Sequence, residues 1–120
     1  MPKEGRSLAI IPSQFVAGDT LTVFQRTLID SGSNSTVPLS GTTVTLNLYP
    51  NSPSNLTLPT ASPIIHNMDI VDMDSGIVSY QFQSGDLLPG WLWTTIKVTN
   101  SLNQRIGQTN PEVFWVRPNL

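Results

Sequence analysis

A chain of 120 residues has room for one domain with a single core. Its net charge of -2, with only six basic residues spread along the chain, offers no patch to match phosphate spacing and disfavours nucleic-acid binding. The absence of cysteine removes disulfides, thiolate metal sites and cysteine nucleophiles.

Polarity comes instead from neutral residues: 13 Thr, 13 Ser and 9 Asn make 35 of the 120, and ten prolines join them. Thr suits strands, and Ser, Asn and Pro suit turns, so the composition favours an all-β domain with many loops. The first seven residues are polar and charged and read as a flexible arm, leaving residues 8–120 as the domain. Leu8 to Phe15 is a first strand interrupted by Pro12, which suits a sheet edge. Leu8 to Ile11 is too short for a signal-peptide core. No run approaches the roughly 20 apolar residues of a membrane helix, so the expectation is a chain made in the cytoplasm with no membrane partner.

Thr20 to Asp30 is the second strand. Its pattern is untidy: Leu21 and Val23 share one parity, Phe24 and Leu28 the other. A bulge between Val23 and Phe24, or burial on both faces, reconciles them. Thr42 to Tyr49 alternates cleanly, with Val44, Leu46 and Leu48 inward, and Pro50 ends it. Residues 51–63 form a long Pro-rich loop in which Leu56 and Leu58 make a short edge strand. Ile64 to Val71 and Ile77 to Gln83 pair as a hairpin, with Val78, Tyr80 and Phe82 on one face. Pro89-Gly90 is a tight turn into the strand Trp91 to Thr99. A last strand, Glu112 to Arg117, is bracketed by Pro111 and Pro118. About seven to eight antiparallel strands with turns every eight to twelve residues predict an immunoglobulin-like β-sandwich.

Few residues suggest chemistry. Asp72-x-Asp74-x-Gly76 has the carboxylate spacing of a calcium loop but lacks its later ligands, and reads as a β-turn. His66 is the only histidine, with no nucleophile-elbow motif near it, and reads as a structural or surface residue. Asp86 reads as the cap of a turn. Asn34-Ser35-Thr36 and Asn55-Leu56-Thr57 match the glycosylation sequon by chance in an Asn- and Thr-rich chain. No catalytic residue, metal ligand or cofactor site is expected.

The tryptophans carry the functional expectation. With Leu92, Thr94, Ile96 and Val98 facing the core, Trp91, Trp93 and Lys97 face away from it. The Pro-rich loop, another strand or a partner must cover these rings. Trp115 shares the patch, and the four residues Trp91, Trp93, Lys97 and Trp115 form the candidate partner-contact face. A carbohydrate-binding or adhesive module, with Trp91, Trp93 and Tyr49 stacking on sugar rings, is the alternative. A small enzyme ranks third, because no nucleophile–base pairing is visible.

The order of motifs resembles the N-terminal immunoglobulin-like domain of phage baseplate upper proteins. The likeness starts with Gly18-Asp19-Thr20 and its following β-run, which Asp30 closes. It continues through Leu39-Ser40-Gly41-Thr42-Thr43-Val44-Thr45-Leu46-Asn47-Leu48 and Asp74-Ser75-Gly76-Ile77-Val78-Ser79-Tyr80. Gly90-Trp91-Leu92-Trp93-Thr94-Thr95-Ile96-Lys97-Val98-Thr99 is similar to that family's "Gly-x-Tyr-x-Ala-x-Ile-x-Val-Thr" strand. The resemblance implies a non-enzymatic structural component of a tailed-phage virion, made in the host cytoplasm and binding other virion subunits. It implies a homo-oligomer, ring or lattice within the particle. With no coiled coil or C-terminal head after the sandwich, a stand-alone version at the baseplate, tail, neck or capsid is expected.

Overall fold

The computed structural model describes residues 15–102 and 104–119. The expected arm at residues 1–7, and the expected first strand apart from Phe15, lie outside them. The described residues are all-β. In chain order the strands are β1 (Phe15–Val16), β2 (Val23–Thr27), β3 (Ile29–Asp30), β4 (Ser35–Thr36), β5 (Thr43–Ser52) and β6 (Ile64–Asn67). They continue as β7 (Asp69–Asp72), β8 (Ile77–Gln81), β9 (Gly90–Thr99), β10 (Arg105–Gln108) and β11 (Glu112–Arg117).

A six-stranded sheet runs β1-β11-β9-β5-β6, with β10 also paired to β9; a three-stranded sheet runs β2-β8-β7; β3 and β4 form a small hairpin. Eleven strands therefore replace the seven to eight expected, and one pairing, β1 on β11, is parallel rather than antiparallel. The two larger sheets contribute to one core. Val44, Leu46 and Leu48 of β5 and Leu92, Ile96 and Val98 of β9 meet Phe24, Val78, Tyr80 and Phe82 across it. Clean alternation on β5, β8 and β9 follows from one face meeting that core, because successive side chains point to opposite sides. Phe15, Phe24, Phe82 and Phe114 close one flank, with ring centroids 5.0–6.3 Å apart.

Several expected strands are broken, each for a physical reason. The run from Thr20 to Asp30 needs no bulge at Val23: β2 pairs with β8 in unbroken register from Val23 to Thr27. Phe24 and Leu28 are buried, while Leu21 and Val23 lie on the solvent side. The chain turns at Leu28, where its N–H bonds to the Gly76 carbonyl (2.8 Å) and its carbonyl accepts the Val37 N–H (3.0 Å). Gly76 permits this crowding. A Cβ there would lie 2.8 Å from the Val37 carbonyl oxygen and 2.9 Å from that of Leu28, and its φ of +68° suits glycine.

The run from Ile64 to Val71 is two strands in different sheets. β6 pairs with β5 and β7 with β8, and the chain crosses between sheets at Met68, whose side chain is buried in the core. Pro50 does not end β5. A register shift between Tyr49 and Ser52 carries the strand past it, with Asn51 at a φ of +53°. Leu56 and Leu58 form no strand and lie exposed in the loop.

Candidate contact face

Register places Trp91, Trp93, Thr95 and Lys97 on the outward side of the six-stranded sheet. Trp91 lies opposite Trp115 on β11, Trp93 opposite Tyr49 on β5 and Lys97 opposite Thr45. The two inner strands β5 and β9 thus present a broad surface, and β11 adds Val113, Trp115 and Arg117 to it.

The four expected contact residues fare differently. Trp91 and Trp115 pack edge to face, with centroids 4.9 Å apart and planes at 65°. Trp115 remains 39% exposed, a large area for an indole on an open strand. Trp93 is only 7% exposed. Its Nε1–H donates to the Ser54 carbonyl at 2.7 Å, so the Pro-rich loop closes over this ring. The Ser54 hydroxyl accepts the N–H groups of Leu56 (3.0 Å) and Thr57 (3.3 Å), which holds the loop in its bend. Lys97 is half-buried among strand neighbours. The structure thus gathers Trp91 and Trp115 as an open pair, with Trp93 beneath the loop beside them. Tyr49, Pro53, Leu58 and Ile64 line a groove of about 420 Å³ along the same loop.

Between these landmarks lies a polar pair that sequence pattern did not signal. Asn47 and Thr95 face outward by parity, yet are 8% and 5% exposed. The Asn47 amide donates to the Thr95 hydroxyl at 3.3 Å, and Asn47 Oδ1 has no hydrogen-bond partner.

A second buried polar group joins the two sheets. Asp86, 2% exposed, accepts the Tyr80 hydroxyl at 2.5 Å and the Gln83 N–H at 2.7 Å through Oδ2. Its Oδ1 lies 2.9 Å from His66 Nε2. The His66 ring stacks on Tyr80 at 4.8 Å and 22°. The turn-capping role read for Asp86 is present in the Gln83 bond. The link to His66, 20 residues away in sequence, had no local signal. Burial, then the hydrogen bond to Asp86 and its charge, hold the Tyr80 phenol protonated well above its usual range. With all three donors converging on one carboxylate, the arrangement holds elements together. At Asp72, Oδ1 accepts the N–H groups of Asp74 and Ser75, both at 3.1 Å, as a turn requires.

No protein-family model, curated protein or solved structure matches the chain.

Proposed function

We propose that this chain is a non-catalytic structural component of a tailed-phage particle, docking on neighbouring virion subunits through the outward face of the six-stranded sheet. In this reading the fold is an immunoglobulin-like sandwich. The strand order supports it: β11-β9-β5-β6 on one sheet and β2-β8-β7 on the other follow the G-F-C-C′ and B-E-D orders of that fold. Treating β10 and β11 as one strand interrupted at Pro111, and β3–β4 as a hairpin within a loop, leaves eight. The motif order shared with phage baseplate upper proteins supports the virion setting.

The observation that carries the functional reading is the Trp91–Trp115 pair. Its neighbour Trp93 is sealed by its own loop, whereas the Trp115 ring remains open to a partner. Aromatic side chains left open beside a covered rim are the anchors that protein contacts use. The two indoles meet at 65° and present an edge rather than one flat platform, which favours a protein surface over the face of a sugar ring.

Two measurements test this. Mass spectrometry of purified particles from a host carrying the gene is expected to find the chain at stoichiometric level. Trp115→Ala is expected to weaken its binding to the particle by at least about 2 kcal/mol, roughly thirty-fold, while leaving the fold intact. A chain missing from particles, or glycan binding that Trp115→Ala abolishes while particle binding persists, would overturn the reading.

A further inference from the structure

Charge is divided between the two outward faces of the molecule. Strand parity puts Lys97, Arg105 and Arg117 on the outward side of the six-stranded sheet, and none of the described strands of that sheet sets a carboxylate on that side. Glu112 has the opposite parity and pairs with Arg26 at 2.8 Å, and Asp86 is buried. On the three-stranded sheet, Asp69 lies opposite Ser79 and Asp72 opposite Ile77, both on the outward side, with Asp74 in the turn that follows. Among the described residues no Lys or Arg accompanies them, because Arg26 points inward over the Phe24 ring.

Both faces also expose apolar surface. Val71 is 56% exposed next to Asp72 and Val23 53% exposed on the far strand of the same sheet, and Trp115 and Ile65 are open on the basic side. A face that is apolar and basic, and another that is apolar and acidic, on opposite sides of one small domain are complementary to each other.

We propose that copies of this chain associate head to tail, the outward face of one copy's six-stranded sheet resting on the outward face of the next copy's three-stranded sheet. Like-with-like pairing of either face brings charges of one sign together with nothing to offset them. The two surfaces differ, so the contact is heterologous. It closes into a ring if the rotation per copy allows, and otherwise grows as a filament. The inference rests on the reading of the Trp115 face as a contact surface and names a second copy as its occupant.

Sedimentation velocity over a range of protein concentrations provides the test. The wild-type chain is expected to self-associate, and to dissociate as salt rises from about 0.1 M to about 1 M, which shortens the screening length from about 10 Å to about 3 Å. K97E/R117E alone and D69K/D72K alone are each expected to stay monomeric. An equimolar mixture is expected to assemble again, because the reversed basic face of one variant matches the reversed acidic face of the other. All four positions lie on the surface or half-buried; because Asp72 also caps its turn, D69K alone is run beside D69K/D72K and is expected to weaken assembly in the same direction, and a far-ultraviolet circular dichroism spectrum equal to wild type shows that each variant has folded. A chain that remains monomeric at every concentration and salt overturns the head-to-tail contact, while particle binding by wild type against Trp115→Ala separately decides whether the Trp115 face docks on something else. Assembly that survives D69K/D72K also overturns it, in favour of like-with-like pairing.

Discussion

Asp86 is buried, so its worth is set by the donors around it. Removing the carboxylate in Asp86→Ala leaves the Tyr80 hydroxyl and the Gln83 N–H without an acceptor, both in buried or half-buried positions. The expected cost is about 3 kcal/mol in urea or guanidinium unfolding, in the range for breaking a buried charged network. Tyr80→Phe removes one donor of three and is expected to cost about 1 kcal/mol. It also has a pH signature. The folded-state ionisation of Tyr80 lies above its unfolded value of about 10, so the stability it contributes is complete below that pH. That stability is lost as pH climbs from there toward the folded value. The wild-type melting temperature is therefore expected to fall more steeply above about pH 10 than that of Tyr80→Phe; parallel curves would contradict the assignment. Nothing in the local sequence announces this group. Asp86 and His66 meet only because the chain crosses between sheets at Met68, and a turn cap was all that the Gly85-Asp86 neighbourhood could show.

At the scale of elements, strands with one wet face were legible and junctions were not. On β5, β8 and β9 the inward residues that the alternation marked, Val44, Leu46, Leu48, Val78, Tyr80, Leu92, Ile96 and Val98, are buried, whereas the burial of Asn47, Trp93 and Thr95 on the outward side was not marked by it. The crossing at Met68 was invisible, since Ile64 to Val71 reads as one unbroken run and the choice of sheet depends on neighbours remote in sequence. The covering of Trp93 was open in the same way. A Pro-rich loop has no periodicity, and only the Ser54 carbonyl reveals that it folds back. Trp93→Phe keeps most of the ring and removes that one donor. It is expected to cost about 1 kcal/mol and to raise the rate of proteolysis within residues 53–62, with the rest of the chain unaffected. The turn at Gly76 gives the sharper break. Gly76→Ala sets a methyl group against two carbonyl oxygens at under 3.0 Å in a backbone conformation that disfavours it. A loss of about 2–3 kcal/mol is expected in denaturant unfolding, and a variant as stable as wild type would show that the Leu28–Gly76–Val37 junction yields to a methyl group.

For the whole molecule, the question is what keeps two sheets together without a disulfide. Most of the answer is apolar: side chains from both sheets share one core, and aromatic rings fill the flank between β2 and β11. Arg26 spans that flank. Its guanidinium lies 4.2 Å from the centre of the Phe24 ring and 5.9 Å from that of Phe114, and its Nε donates to Glu112 at 2.8 Å. The ion pair and the ring contacts are separable contributions. The pair is over a third exposed on both sides, so solvent screens it and its share is about 0.5 kcal/mol. The stem and guanidinium also shield two aromatic rings from water, a contribution that survives loss of the carboxylate. Glu112→Gln is therefore expected to cost no more than about 0.5 kcal/mol and to lose its effect in about 1 M salt. Arg26→Ala is expected to cost about 1.5 kcal/mol, nearly independent of salt, because it uncovers the rings. Arg26→Met, which restores a stem of similar reach without the charge, is expected to recover about half of that loss. Equal costs for Glu112→Gln and Arg26→Ala would mean that charge, rather than the covering of Phe24 and Phe114, joins the sheets along this flank.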